Sequence, residues 1–137
     1  MTGLVVCLAV LAVASAYGVA HRLRDGRIRM RTDDRVERLT SDDLGTALGE
    51  RATLVQFSSA FCRPCVATRQ VLDGVAARVD GVAHVEIDAE LHLDLVRRLD
   101  VSSTPTTLVL DGDGIERRRA GGVPRRHEVL AALAELS

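Results

Sequence analysis

The chain has 137 residues, enough for one domain of ordinary size and too few for two. Hydrophobic residues make up 47% and charged residues 27%, which excludes both a disordered chain and one wholly buried in membrane. The only aromatics are Tyr17, Phe57 and Phe61, every one of the 18 basic residues is Arg, and the net charge is −1; base-stacking surfaces, lysine-dependent chemistry and a nucleic-acid partner are therefore not expected.

Residues 1–20 carry no charged side chain. Twenty helical residues span about 30 Å, the thickness of a hydrocarbon core, and Tyr17 suits the interface at the far end. The segment predicts an N-terminal transmembrane helix. A cleaved signal peptide is the alternative, because Ala14-Ser15-Ala16 resembles a cleavage site. No Arg precedes the apolar run, however, and Arg22, Arg24, Arg27, Arg29 and Arg31 follow it. Residues 21–35 therefore read as a basic juxtamembrane linker. The positive-inside tendency puts the attached domain on the cytoplasmic side, with an extracytoplasmic domain as the alternative. Cys7 lies within the apolar run and reads as an inert small hydrophobe.

Residues 36–137 read as a compact α/β body. Val36–Leu39 is a candidate first strand. Thr40 to Asp43 offers a helix cap and acids for a first turn, with Leu44, Ala47 and Leu48 following at helical spacing. Ala52–Phe57 is a buried strand, and Cys62 to Val79 carries a helical apolar stripe. His84 to Asp88 alternates with period two, and Leu91, Leu95 and Leu99 recur every four residues. Thr106–Leu110 and Ile115–Ala120 form a hairpin across Asp111-Gly112-Asp113-Gly114, which lacks the later ligands of a calcium loop. Pro124 suits the first turn of a last helix burying Val129, Leu130 and Leu133. The order β-α-β-α-β-α-β-β-α predicts a mixed central sheet with a largely parallel centre and helices on both faces. Arg117-Arg118-Arg119 reads as a solvated or edge-protecting face.

The chemistry concentrates in Phe61-Cys62-Arg63-Pro64-Cys65, between a buried strand and a long helix. At a helix N-terminus, unpaired N–H groups and the macrodipole favour a Cys62 thiolate, the form that attacks disulfides. The spacing brings Cys65 within bridging distance, and Pro64 stiffens the turn. Cys62 is expected to be the nucleophile and Cys65 the resolving thiol. Half of a zinc site is the alternative, but no second cysteine pair exists and His21, His84, His92 and His127 are scattered.

These residues, with Val85-Glu86-Ile87-Asp88, Val101 to Thr106, the turn at Asp111–Gly114 and Gly122, resemble the thioredoxin family from Val36 to Ser137. The resemblance implies a thioredoxin-like fold, a cis peptide at Pro105, and a substrate surface formed by Phe61, Arg63, Pro64 and Thr104. It implies protein disulfide or dithiol substrates, an external redox partner, and neither cofactor nor metal. Phe61 and Ser58 stand where the family commonly has Trp. Gln56 stands at the position of a buried Asp, and an amide cannot take up a proton there. His84 aligns with a neighbouring Lys and becomes the candidate base. Arg63 replaces a glycine and places a cation beside Cys62, so a somewhat more oxidising pair is expected.

The sequence thus predicts a membrane-anchored thiol-disulfide oxidoreductase, with reduction favoured. An exported oxidant, a specialised extracytoplasmic reductase and a non-catalytic binding module are the alternatives.

Overall fold

The computed structural model describes residues 1–24, 28–30 and 37–136. Helix α1 (Thr2–Arg24) has every described side chain exposed. Its Thr2–Leu23 stretch is long and apolar enough to cross a membrane, a property that signal sequences share. The remainder forms one five-stranded sheet in the order β1-β5-β4-β2-β3. Its strands are β1 (Ile28–Met30), β2 (Ala52–Ser58), β3 (Val82–Asp88), β4 (Thr106–Asp111) and β5 (Glu116–Gly121). Among the described residues four helices accompany it: α2 (Ser41–Leu44), α3 (Arg63–Ala76), α4 (Leu93–Arg98) and α5 (Arg126–Ala134).

The expectation of a largely parallel centre is corrected. Only β2 and β3 run parallel; β2–β4, β4–β5 and β5–β1 are antiparallel. Helix length explains the difference. The 14 residues of α3 cover about 21 Å, enough to carry the chain back along a seven-residue strand of about 23 Å. The six residues of α4 cover about 9 Å. The chain therefore re-enters the sheet at the end where β3 left it. Phe57 pairs with Thr106, and Ser58 with Asp88, at that same end. The short helix thus puts the start of β4 beside the end of β2.

The expected first strand at Val36–Leu39 is replaced by a single bridge, Arg38 to Ile115, while Val36 lies outside the described residues. Strand β1 instead lies within the basic stretch expected to be a linker. It pairs antiparallel with β5 from Ile28↔Ala120 to Met30↔Arg118. Leu39 donates its N–H to the Gly114 carbonyl, and a Cβ on Gly114 would lie 2.1 Å from the Leu39 oxygen. Only glycine, here at φ 83°, permits that crossing.

The expected helix after Thr40 is real but short. The Thr40 hydroxyl accepts from the Asp43 N–H and the Asp43 carboxylate accepts from the Thr40 N–H, a reciprocal cap. Gly45, at φ 71°, ends the helix before Ala47 and Leu48. Arg98 grips the Asp43 carboxylate at 3.0 and 3.1 Å. That guanidinium and the Thr40 N–H hold the Asp43 pKa down at about 2. Pro124 precedes the cap of the last helix, and Leu130 is exposed where burial was expected.

Two apolar layers flank the sheet. Val55, Phe57, Val85, Ile87, Leu108 and Leu110 meet Leu44, Leu95 and Leu99 on one face. Ala52, Leu54 and Val109 meet Leu72 and Val75 of α3 and Val129 and Leu133 of α5 on the other. The hairpin turn is an Asx turn: Asp111 Oδ1 accepts from the Asp113 and Ile115 N–H groups. Burial pushes the Asp111 carboxyl up, but those donors and Arg117 outweigh it and hold it below the ordinary range. The three arginines are more than a solvated face. Arg117 pairs with Asp111, Arg118 with Glu135, and Arg119 with Glu116 and the Leu99 carbonyl.

Candidate active site

After β2 the chain turns sharply at Phe61, whose φ of 62° is left-handed. A non-glycine residue there costs about 1–2 kcal/mol. The turn makes Cys62 the N-cap of α3, with Pro64 in the first turn. Cys62 and Cys65 form a disulfide with Cα atoms 5.2 Å apart. The Cys65 N–H donates to Cys62 Sγ at 3.3 Å. A thiolate formed at Cys62 after reduction would therefore meet a backbone donor and the positive end of a 14-residue helix. Cys65 is buried, whereas Phe61, Arg63 and Pro64 are exposed around the pair. Phe61 is turned wholly to solvent.

The start of β4 closes the other side. The Thr104–Pro105 bond is cis. Ser59 and Thr104 share a hydroxyl hydrogen bond of 2.9 Å that ties the two loops together. Gly122 donates to the Pro105 carbonyl at 2.9 Å, and Thr106 Oγ1 donates to the Ser103 carbonyl at 2.6 Å. All the expected residues but His84 thus gather at one sheet end.

Behind Cys65 lies a polar chain. Gln56 is fully buried, and its Nε2 donates to the Cys65 carbonyl at 2.8 Å and to Ser58 Oγ at 2.9 Å. Its Oε1 lies 3.1 Å from His84 Nε2. His84 Nδ1 lies 2.5 Å from Asp73 Oδ1. Next to this pair, Arg69 binds Glu86 through two hydrogen bonds of 2.6 and 2.7 Å. His84 is thus brought to Gln56 and Asp73 rather than to either sulfur.

The family model named Thioredoxin matches residues 35–135. The chain belongs to the thioredoxin family. Thioredoxin of Mycoplasma genitalium is 25% identical over 81 residues, which cover 59% of this chain and 78% of the relative. Thioredoxin-2 of Saccharomyces cerevisiae is 26% identical over 82 residues, covering 60% and 79%. Among solved structures, chloroplastic thioredoxin z superposes with a TM-score of 0.60 at 23% identity, covering 77% of this chain and 97% of that one. A mutant thioredoxin from Halobacterium salinarum NRC-1 gives 0.58 at 20%, covering 64% and 75%. The fold is thioredoxin-like, and family membership makes the protein a thiol-disulfide oxidoreductase.

Sequence reasoning missed Asp73 and Ser59. Asp73 had a signal. Arg69 and Asp73 stand one helical turn apart, and His84 and Glu86 stand two apart on a strand, so opposite charges could face one another. Ser59 had none, because its contact with Thr104 spans 45 positions.

Proposed function

We propose that this member of the thioredoxin family is anchored by residues 1–20 and reduces disulfides of protein substrates on the cytoplasmic side of a membrane. The single observation carrying the chemistry is the Cys62–Cys65 pair at the α3 N-terminus. The Cys62 thiolate attacks one sulfur of the substrate disulfide. A mixed disulfide forms, and the other substrate sulfur leaves as a thiolate. Cys65 then loses its proton and attacks Cys62 Sγ, releasing the second substrate thiolate. Two electrons pass to the substrate and the pair becomes a disulfide. A dithiol redox protein must reduce it again. Phe61, Arg63, Pro64 and Thr104 border the pair and serve as the substrate surface, with Thr104 offering its backbone to an extended segment.

The apolar run with arginines following it supports the topology, and a cytoplasmic domain faces a compartment that keeps thiols reduced. Insulin reduction tests the chemistry: turnover must depend on Cys62, whereas a binding module without turnover would show none. Labelling intact cells with a membrane-impermeant thiol reagent tests the side. Labelling of Cys62 without permeabilisation would overturn the cytoplasmic assignment.

A further inference from the structure

The hydrogen-bond roles around Gln56 can be solved by elimination. The Cys65 carbonyl can only accept, so the amide nitrogen of Gln56 must face it. Gln56 Oε1 then faces His84, and it too can only accept, so His84 Nε2 must carry a proton. On the other side, His84 Nδ1 meets the Asp73 carboxylate at 2.5 Å. A bare Nδ1 lone pair against that carboxylate would repel it. The alternative neutral tautomer would place a bare Nε2 against Gln56 Oε1. Turning the Gln56 amide over would set its oxygen against the Cys65 carbonyl. With Asp73 ionised, as its 63% exposure favours, only the imidazolium, donating from both nitrogens, satisfies every contact at once.

The surroundings suit that state. The His84 side chain is 6% exposed, while that of Asp73 is 63% exposed at the solvent end. Asp73 on α3 supplies the opposite charge. Arg69 on the same helix is neutralised by Glu86 of β3. β2 presents the uncharged Gln56, whose partner across β4 is Thr107. From α5, Arg126 lies against Gly74, one residue beyond Asp73.

We propose that Asp73 and His84 are positioning residues for the dithiol: their shared proton locks the Gln56 amide onto the Cys65 carbonyl. The inference rests on the thiol-disulfide reading. The Cys65 N–H points at Cys62 Sγ, so a turn fixed at the Cys65 carbonyl also fixes the donor that meets the nucleophile. When His84 gives its proton to solvent past Asp73, one contact in the chain must break. The Asp73 carboxylate is the stronger acceptor and its contact the shorter, so the remaining proton stays on Nδ1, the contact to Gln56 Oε1 is lost and the turn loosens. The reactivity of the pair acquires a pH dependence that belongs to neither cysteine.

Two measurements on the full chain in detergent test this. In nitrogen-15 NMR of the oxidised protein, both His84 ring nitrogens are expected to be protonated, and the titration of this state gives its midpoint. The rate at which dithiothreitol reduces the Cys62–Cys65 disulfide is expected to show an inflection at the same pH. In Asp73→Asn both are expected to shift together to lower pH, and Asp73→Glu is expected to move them back. A single protonated nitrogen, an unmoved titration, or a titration that moves without the rate profile would each overturn the proposal. Because dithiothreitol needs no protein substrate, failure to reduce insulin would sink the functional reading and leave this test standing.

Discussion

The two faces of the sheet are built on different principles. The face toward α2 and α4 is largely apolar, with Val55, Phe57, Val85, Ile87, Leu108 and Leu110 all buried, and its polar groups, Thr53 and the Arg119–Glu116 pair, bond to Gly49 and the Leu99 carbonyl rather than to the dithiol turn. The face toward α3 shares its apolar bed with Gln56, Thr107, His84 and Glu86, and each charged or amide group among them has a specific partner. Apolar contact is non-directional and holds the fold whatever its details. Hydrogen bonds are directional, so this second face can fix one turn of one helix in one orientation. Stability and reactivity are therefore expected to respond to different substitutions.

The largest effect should come at the pair itself. Cys62→Ser is expected to abolish insulin reduction while the protein still melts cooperatively; retained turnover would break the assignment of the nucleophile. Phe57→Ala removes a fully buried ring from the apolar face. It should cost about 4 kcal/mol in chemical denaturation. Turnover per folded molecule should nevertheless hold, and a matching loss of turnover would erase the distinction between the faces.

A milder probe of the apolar side is the cap of its short helix. The Asp43 carboxyl is lowered from its ordinary value to about 2, so its contribution is full above about pH 4 and is lost as pH falls through about 2. Asp43→Asn should cost about 1 kcal/mol near neutrality, discounted for solvent screening. Thermal melts of variant and parent should converge toward pH 2, and a gap that widens on acidification would refute the sign. Smallest is Arg63→Gly. Its exposed cation is worth about 0.5 kcal/mol to a thiolate, so the midpoint potential should fall by about 10 mV in a glutathione titration. An unchanged or higher potential would remove Arg63 from the electrostatics of the pair.

The sequence disclosed the elements better than their directions. Ala52–Phe57, Thr106–Leu110 and the Asp111–Gly114 turn were legible because burial and turn chemistry are local. The sense of β4 was not, because it depends on how far α4 reaches, and Leu91 extended the apparent helix beyond its real start. β1 was hidden for another reason. Arg27-Ile28-Arg29-Met30-Arg31 alternates as a strand does, but its charge invited a reading by topology instead. At the site, Cys62, Cys65 and Pro105 followed from motif and resemblance. The link from Asp73 through His84 to Gln56 needed the register of β2 against β3 and the rotation of α3, neither of which is written in any one segment.

The pairing of β1 with β5 also sets a leash. Arg24 ends the apolar helix and Ile28 begins the strand, so four Cα steps of about 3.8 Å join them, at most about 15 Å. For an anchored protein, this harness attaches to the edge of the sheet farthest from β3. The edge of the catalytic body at Ile28 would stay within about 15 Å of the end of the apolar helix, about half a membrane thickness. Its partners would then be met by lateral search at a high local concentration, and a soluble disulfide would have to come to the surface to be reduced.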